Sequence, residues 1–129
     1  MLRNGILNAQ LAGALARLGH TDQVLICDSG MPIPGGPEVV DLAFRPGIPA
    51  FAEVLDGILA VLIVEGATAA SEVRTTNPGC AALLADRLPV LSYVSHEDLK
   101  KITRQVKLVV RTGEAHPHAN VILRCGVPF

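Results

Sequence analysis

Val24-Leu25-Ile26-Cys27-Asp28-Ser29-Gly30-Met31-Pro32-Ile33-Pro34 is the stretch that decides the fold. Four apolar residues run directly into a carboxylate, and the Gly and Pro residues from Gly30 to Pro37 exclude regular structure after it. This is a short buried strand with Asp28 at its carboxyl end, the edge at which α/β proteins bind small molecules.

Upstream, Asn8 caps a helix through about Leu18, with Leu11, Ala14, Leu15 and Leu18 on one face and Gly19 positioned to stop it. His20 then follows the helix C-terminus. Downstream, Val39 to Phe44 reads as a strand and Pro46-Gly47 as a turn, with Pro49 in the first turn of a helix to about Leu59. Val61 to Val64 reads as a buried strand and Ala67 to Thr75 as helical. Asn77-Pro78 is a cap and first-turn proline opening a helix to about Leu88. Val90 to Val94 is a strand. Ser95-His96-Glu97-Asp98 resembles a capping box with Asp in the last place, which puts His96 in the first turn of a helix to about Thr103. Lys107 to Arg111 and Asn120 to Cys125 are strands joined by the loop from Thr112 to His118. This alternation predicts one α/β domain over residues 1–129, a three-layer α/β/α arrangement with a mixed, mostly parallel sheet.

Composition narrows the function. Half of the 129 residues are hydrophobic but only 3% are aromatic, so the core is built from Leu, Val, Ile and Ala. With 11 basic and 12 acidic side chains the net charge is −1, which offers a nucleic acid or an anionic membrane no electrostatic attraction. A small neutral ligand fits better. Cys27, Cys80 and Cys125 form no CxxC pair and are odd in number, which favours a reducing compartment over a disulfide framework. Asn4, Asn8 and Gln10 interrupt any signal-peptide core. The longest apolar run, Ile58 to Val64, is far short of the roughly 20 residues that cross a bilayer. The expected location is the cytoplasm.

Each polar candidate has two readings. His20 is a simple helix C-cap or an acid, since the partial negative charge of a helix C-terminus and nearby Asp22 or Asp28 favour imidazolium. Asp28 is an Asx-turn residue or a hydroxyl acceptor. At a helix N-terminus the charged form of His96 is disfavoured, which suits a neutral imidazole bonding a hydroxyl. The carboxamide of Asn120 caps a loop or offers a donor and an acceptor to a ligand, whereas Ala119 supplies only position or backbone groups. Arg111-Thr112-Gly113-Glu114 touches a ligand or forms a structural turn with an internal ion pair. His116 and His118 alternate as a metal pair would, but no carboxylate or cysteine stands at a convincing ligand spacing, so no metal is expected. Gly30 to Gly36 lacks the phosphate-loop patterns, and its prolines remove amide donors.

Five segments in order, Gly5-x-Leu7-Asn8, Leu18-Gly19-His20-Thr21-Asp22, Cys27 to Pro34, Arg111-Thr112-Gly113-Glu114 and Ala119 to Leu123, resemble the ribose pyranase and fucose mutarotase family end to end. The likeness is greater to its ribose pyranase branch. The resemblance implies a cofactor-independent isomerase that interconverts pyranose and furanose forms, and anomers, of free D-ribose. L-fucose mutarotase activity or non-catalytic sugar binding linked to uptake are the alternatives. It implies His20 as proton donor, Asp28, His96, His118, Ala119 and Asn120 as sugar-binding residues, and a ring-shaped homo-oligomer, typically a decamer, with sites near subunit boundaries. The departure from the family is His118, where Tyr is usual. An imidazole is shorter and titrates near neutrality, so sugar preference and pH dependence are expected to differ there.

Overall fold

The computed structural model describes residues 1–129. Six strands form one sheet: β1 (Gln23–Cys27), β2 (Glu38–Asp41), β3 (Val64–Ala70), β4 (Leu91–Val94), β5 (Leu108–Arg111) and β6 (Val121–Cys125). Their order is β2-β5-β1-β6-β3-β4, and β6 alone runs antiparallel to its neighbours. Five helices join them: α1 (Ala9–Ala16), α2 (Phe51–Leu59), α3 (Val73–Thr76), α4 (Pro78–Arg87) and α5 (His96–Thr103).

The expected three-layer arrangement is present but lopsided. Successive side chains of a strand point to opposite faces. Val24 and Ile26 therefore join the larger core with α1, α2 and α4, while Leu25 and Cys27 join a smaller one under α5. Val110 and Val109, and Leu123 and Ile122, divide in the same way. Burial on both faces is why β1 and β5 read as continuous apolar runs. The α5 face is closed partly by Met31 of the Pro-rich segment after β1, packed with Leu99.

Where sequence cues were local, the elements fall as read. Asn8 accepts from the Leu11 N–H to start α1, Asn77 accepts from the Cys80 N–H to start α4, and Ser95 accepts from the Asp98 N–H to start α5. The His96 N–H, in the first turn of α5, donates to the carboxylate of Glu72.

Five expectations need correction. The run Val61 to Val64 is not a buried strand: Val61 and Leu62 close the end of α2 on the Ile58 carbonyl, and Val61 and Ile63 are 52% and 48% exposed. The strand starts at Val64 and takes up Ala67 to Ala70, which read as helical. Pairing on both edges with β6 and β4 outweighs alanine's helix preference, worth only some tenths of a kcal/mol per residue. Helix α2 begins at Phe51, not at Pro49, because the Pro49 carbonyl is engaged by the Gly113 N–H. Strand β2 stops at Asp41, whose carboxylate accepts from the Ala43 N–H and turns the chain. Nor does Gly19 stop α1, which ends at Ala16 with Arg17 as its C-cap, and Gly19 is not the left-handed residue that follows. Thr21 is, at φ 70°, a conformation that strains a β-branched residue by about 1 kcal/mol or more.

Candidate active site

Because β6 is antiparallel, its amino end lies at the same sheet edge as the carboxyl ends of the other five strands. Asp28 after β1, His96 after β4, the 114–118 loop after β5 and Asn120 before β6 all meet there. They line an open cavity of about 350 Å³, together with Ser29, Gly30, Met31 and Pro32.

Asp28 and Asn120 form the floor, 8% and 1% exposed. The Asp28 N–H donates to Asn120 Oδ1 at 2.9 Å, and Asn120 Nδ2 donates to Asp28 Oδ2 at 3.1 Å. Asp28 Oδ1 also accepts from the Gly30 N–H at 2.9 Å. Both readings of Asp28 hold at once: it makes an Asx turn, and each carboxylate oxygen keeps lone-pair capacity for a further donor. Asn120 retains one amide hydrogen, but its first task is to hold Asp28.

His96 and His118 form one wall, ring edge to ring face, with centroids 4.8 Å apart. His118 has left-handed backbone at φ 59°, which histidine tolerates better than most residues. Thr76 gives its hydroxyl hydrogen to the Glu72 carbonyl and so can only accept at its 2.7 Å contact with His118 Nδ1. That assigns the His118 proton to Nδ1 and leaves Nε2 free. His96 Nδ1 is buried without a partner. Burial, then the nearby His118 and Lys100, push the His96 imidazole below its ordinary range. The expected neutrality is thus reproduced, with burial rather than the helix terminus as its leading cause. Ala119 lies in the larger core and presents no side chain to the cavity.

His20 is elsewhere. It sits before β1, at the opposite edge of the sheet, four residues past the end of α1. Its Nε2 donates to Glu65 Oε2 at 3.0 Å, and this bond, with Arg124 beyond it, holds the Glu65 carboxyl below its usual range. The five residues of β1 separate His20 from Asp28 by about 16 Å at the usual rise per strand residue. No side chain spans that gap, so within one chain His20 does not reach the cavity.

The model of the RbsD / FucU transport protein family matches residues 1–128. This chain belongs to that family. It is 65% identical to the D-ribose pyranase of Streptomyces avermitilis and 67% identical to D-ribose pyranase 1 of Rubrobacter xylanophilus, over 100% of each chain. The structure of Bacillus subtilis RbsD complexed with D-ribose matches with a TM-score of 0.95 at 42% identity, covering 100% of both chains. The fucose mutarotase of Streptococcus pneumoniae, solved in complex with L-fucose, shares the fold at a TM-score of 0.81 and 20% identity, covering 99% of this chain and 100% of that one.

In this RbsD / FucU chain the Arg111-Thr112-Gly113-Glu114 segment is structural and also reaches the cavity. Arg111 bonds the Ser29 carbonyl and pairs with Asp41 at 3.0 Å, so the expected internal ion pair with Glu114 does not form. Thr112 donates to the Cys27 carbonyl and accepts from the Glu114 N–H. Gly113 passes so close to the 45–49 turn that a Cβ would lie 2.1 Å from the Ile48 carbonyl oxygen. Glu114 caps α2 through the Phe51 N–H and bonds the His116 ring, and both Glu114 and His116 line the cavity. In the sequence Glu114 reads as part of a turn and His116 only as a candidate metal ligand. Their i, i+2 spacing in a loop after a strand was the available signal.

Proposed function

We propose that this chain is a D-ribose pyranase, interconverting pyranose and furanose forms and anomers of free D-ribose without a cofactor. The observation that carries the reading is a polar, hydroxyl-matching cavity in a chain that superposes end to end, at 42% identity, on RbsD complexed with D-ribose. Ring opening needs a proton delivered to the ring oxygen and another removed from the anomeric hydroxyl; reclosure through a different hydroxyl, or on the other carbonyl face, makes the new isomer. Free sugars already isomerise slowly in water, so one positioned acid and one base, each worth about 10²–10⁴-fold, suffice.

In this reading Asp28 accepts hydrogen bonds from sugar hydroxyls, oriented by Asn120, whose remaining amide hydrogen serves the sugar. His96 bonds hydroxyls as a neutral imidazole, His118 bonds them beside it, and Ala119 contributes backbone only. His20 is the proton donor, carried into the cavity by a second copy of the chain, with its ring held by Glu65 through Nε2. A closed homo-oligomer is therefore required for activity, and a ring of ten subunits is the form that the family resemblance implies. Free buried thiols at Cys27, Cys80 and Cys125 suit the cytoplasm, and no helix is long and apolar enough to cross a membrane.

Saturation-transfer NMR on D-ribose and on L-fucose tests the reading. Accelerated exchange of ribose isomers is expected, and His20→Ala should abolish it with the fold intact. Acceleration of fucose alone, or of neither sugar, overturns it.

A further inference from the structure

Within one chain the cavity holds four ionisable groups besides Glu114: Asp28, His96, His116 and His118. In the reading above three of them bind sugar hydroxyls: Asp28, held by Asn120 and Gly30, His96, and His118, tied to Thr76 through Nδ1. His116 differs. Its side chain is 79% exposed, and its Nδ1 lies 2.7 Å from Glu114 Oε2, an oxygen that also accepts from the Ala115 and His116 N–H groups. The other oxygen, Oε1, is fixed by Phe51 at the start of α2. The carboxylate is therefore rigid, and it holds the His116 proton on Nδ1, leaving Nε2 with a free lone pair at the cavity mouth. Burial raises the affinity of the Glu114 carboxyl for a proton, but its hydrogen bonds from His116, Phe51 and Ala115 outweigh this and keep it ionised.

We propose that His116, oriented by Glu114, is the general base that takes the anomeric proton in the isomerisation proposed above. A base oriented by a third group is the arrangement of nucleophile-activating pairs generally. In the forward step His116 Nε2 accepts the hydrogen of the anomeric hydroxyl, and the O–H electrons form the carbonyl. The bond from the anomeric carbon to the ring oxygen breaks, its pair staying on that oxygen, which takes the donor's proton. On reclosure the attacking hydroxyl returns a proton to the donor while the His116 cation reprotonates the carbonyl oxygen. No proton or electron is gained or lost overall.

The inference rests on the ribose pyranase reading, and the experiment separates the two. Exchange of D-ribose isomers is measured by saturation-transfer NMR between pH 5 and 9 for the wild type, His116→Ala and His116→Asn. His116 is exposed, so both variants keep the fold, and Asn retains a donor for Glu114. A loss of about 10²-fold is expected in both, with the acidic limb of the pH–rate profile gone. Added imidazole should restore exchange in His116→Ala. The groups facing His116 are Glu114 at contact and Asp28, His96 and His118 across the cavity, all unchanged in these variants. Exchange within twofold of wild type, or a loss that keeps the acidic limb and ignores imidazole, overturns the role of His116. An inactive wild type would instead overturn the pyranase reading.

Discussion

Asn120→Asp replaces the amide that donates to Asp28 with a second carboxylate of the same shape, in a floor where both groups are almost wholly buried. Two unit charges 3.1 Å apart repel by about 5 kcal/mol at an effective dielectric near 20, and loss of the charge-assisted bond removes a further 1.5–3 kcal/mol or so. The pair escapes the full penalty by sharing one proton. A net loss of about 3–5 kcal/mol near pH 8 is the expected balance, or about 10–20 °C in Tm for a domain of this size. The sign with pH is fixed. A carboxyl whose folded pKa is raised stabilises fully below its unfolded value, near 4, and loses that contribution as pH rises through the folded value. The variant should therefore approach the wild type as pH falls from 8 toward 4. Thermal melts of both proteins by circular dichroism, at half-unit pH steps, measure the difference directly. A gap below 1 kcal/mol at pH 8, or one that does not change with pH, would refute the pairing of Asp28 with Asn120.

Three other outcomes follow from the same geometry. If a second copy supplies His20, His20→Ala and Asp28→Asn are each inactive, but refolding them together in equal amounts restores up to about a quarter of the ribose exchange, because half times half of the shared sites are intact; no recovery would mean that His20 does not act across copies. Gly113→Ala forces backbone against the Ile48 carbonyl, so a loss above about 3 kcal/mol in urea unfolding, or failure to fold, is expected. The His96 ring protons should titrate below the ordinary histidine range in NMR, and higher once His118 is replaced by Phe, since burial and then His118 disfavour its cation. With a depressed folded value, His96 stabilises the protein above the unfolded pKa, and that contribution is lost as pH falls through the window below about 6.5.

The local code was legible because its physics is local. Asn8, Asn77 and Ser95 cap helices through bonds three residues away, and the run Val24 to Cys27 meets both core faces whatever else the chain does. That reading also put Asp28 at a strand end, His96 in a helix first turn and Asn120 at the start of a strand. Ala67 to Ala70 could not be read this way, because their strand state comes from β4 and β6 on either side, and β6 lies more than fifty residues later.

The candidate site divides along the same line. Residue chemistry and family resemblance picked out His20, Asp28, His96, His118, Ala119 and Asn120 from sequence as one sugar site, but not which of them a single chain brings to one cavity. The antiparallel course of β6 brings Asn120 onto Asp28, and the length of β1 takes His20 away from both. Glu114 and His116 acquire their relation from the cap that Glu114 gives α2 and from the close pass of Gly113 over the 45–49 turn. The sequence alone determined the elements and the chemical inventory, through propensity, periodicity and short-range capping. Which groups face one cavity, and which lie at the opposite edge of the sheet, depended on strand order and direction, which no local pattern encodes.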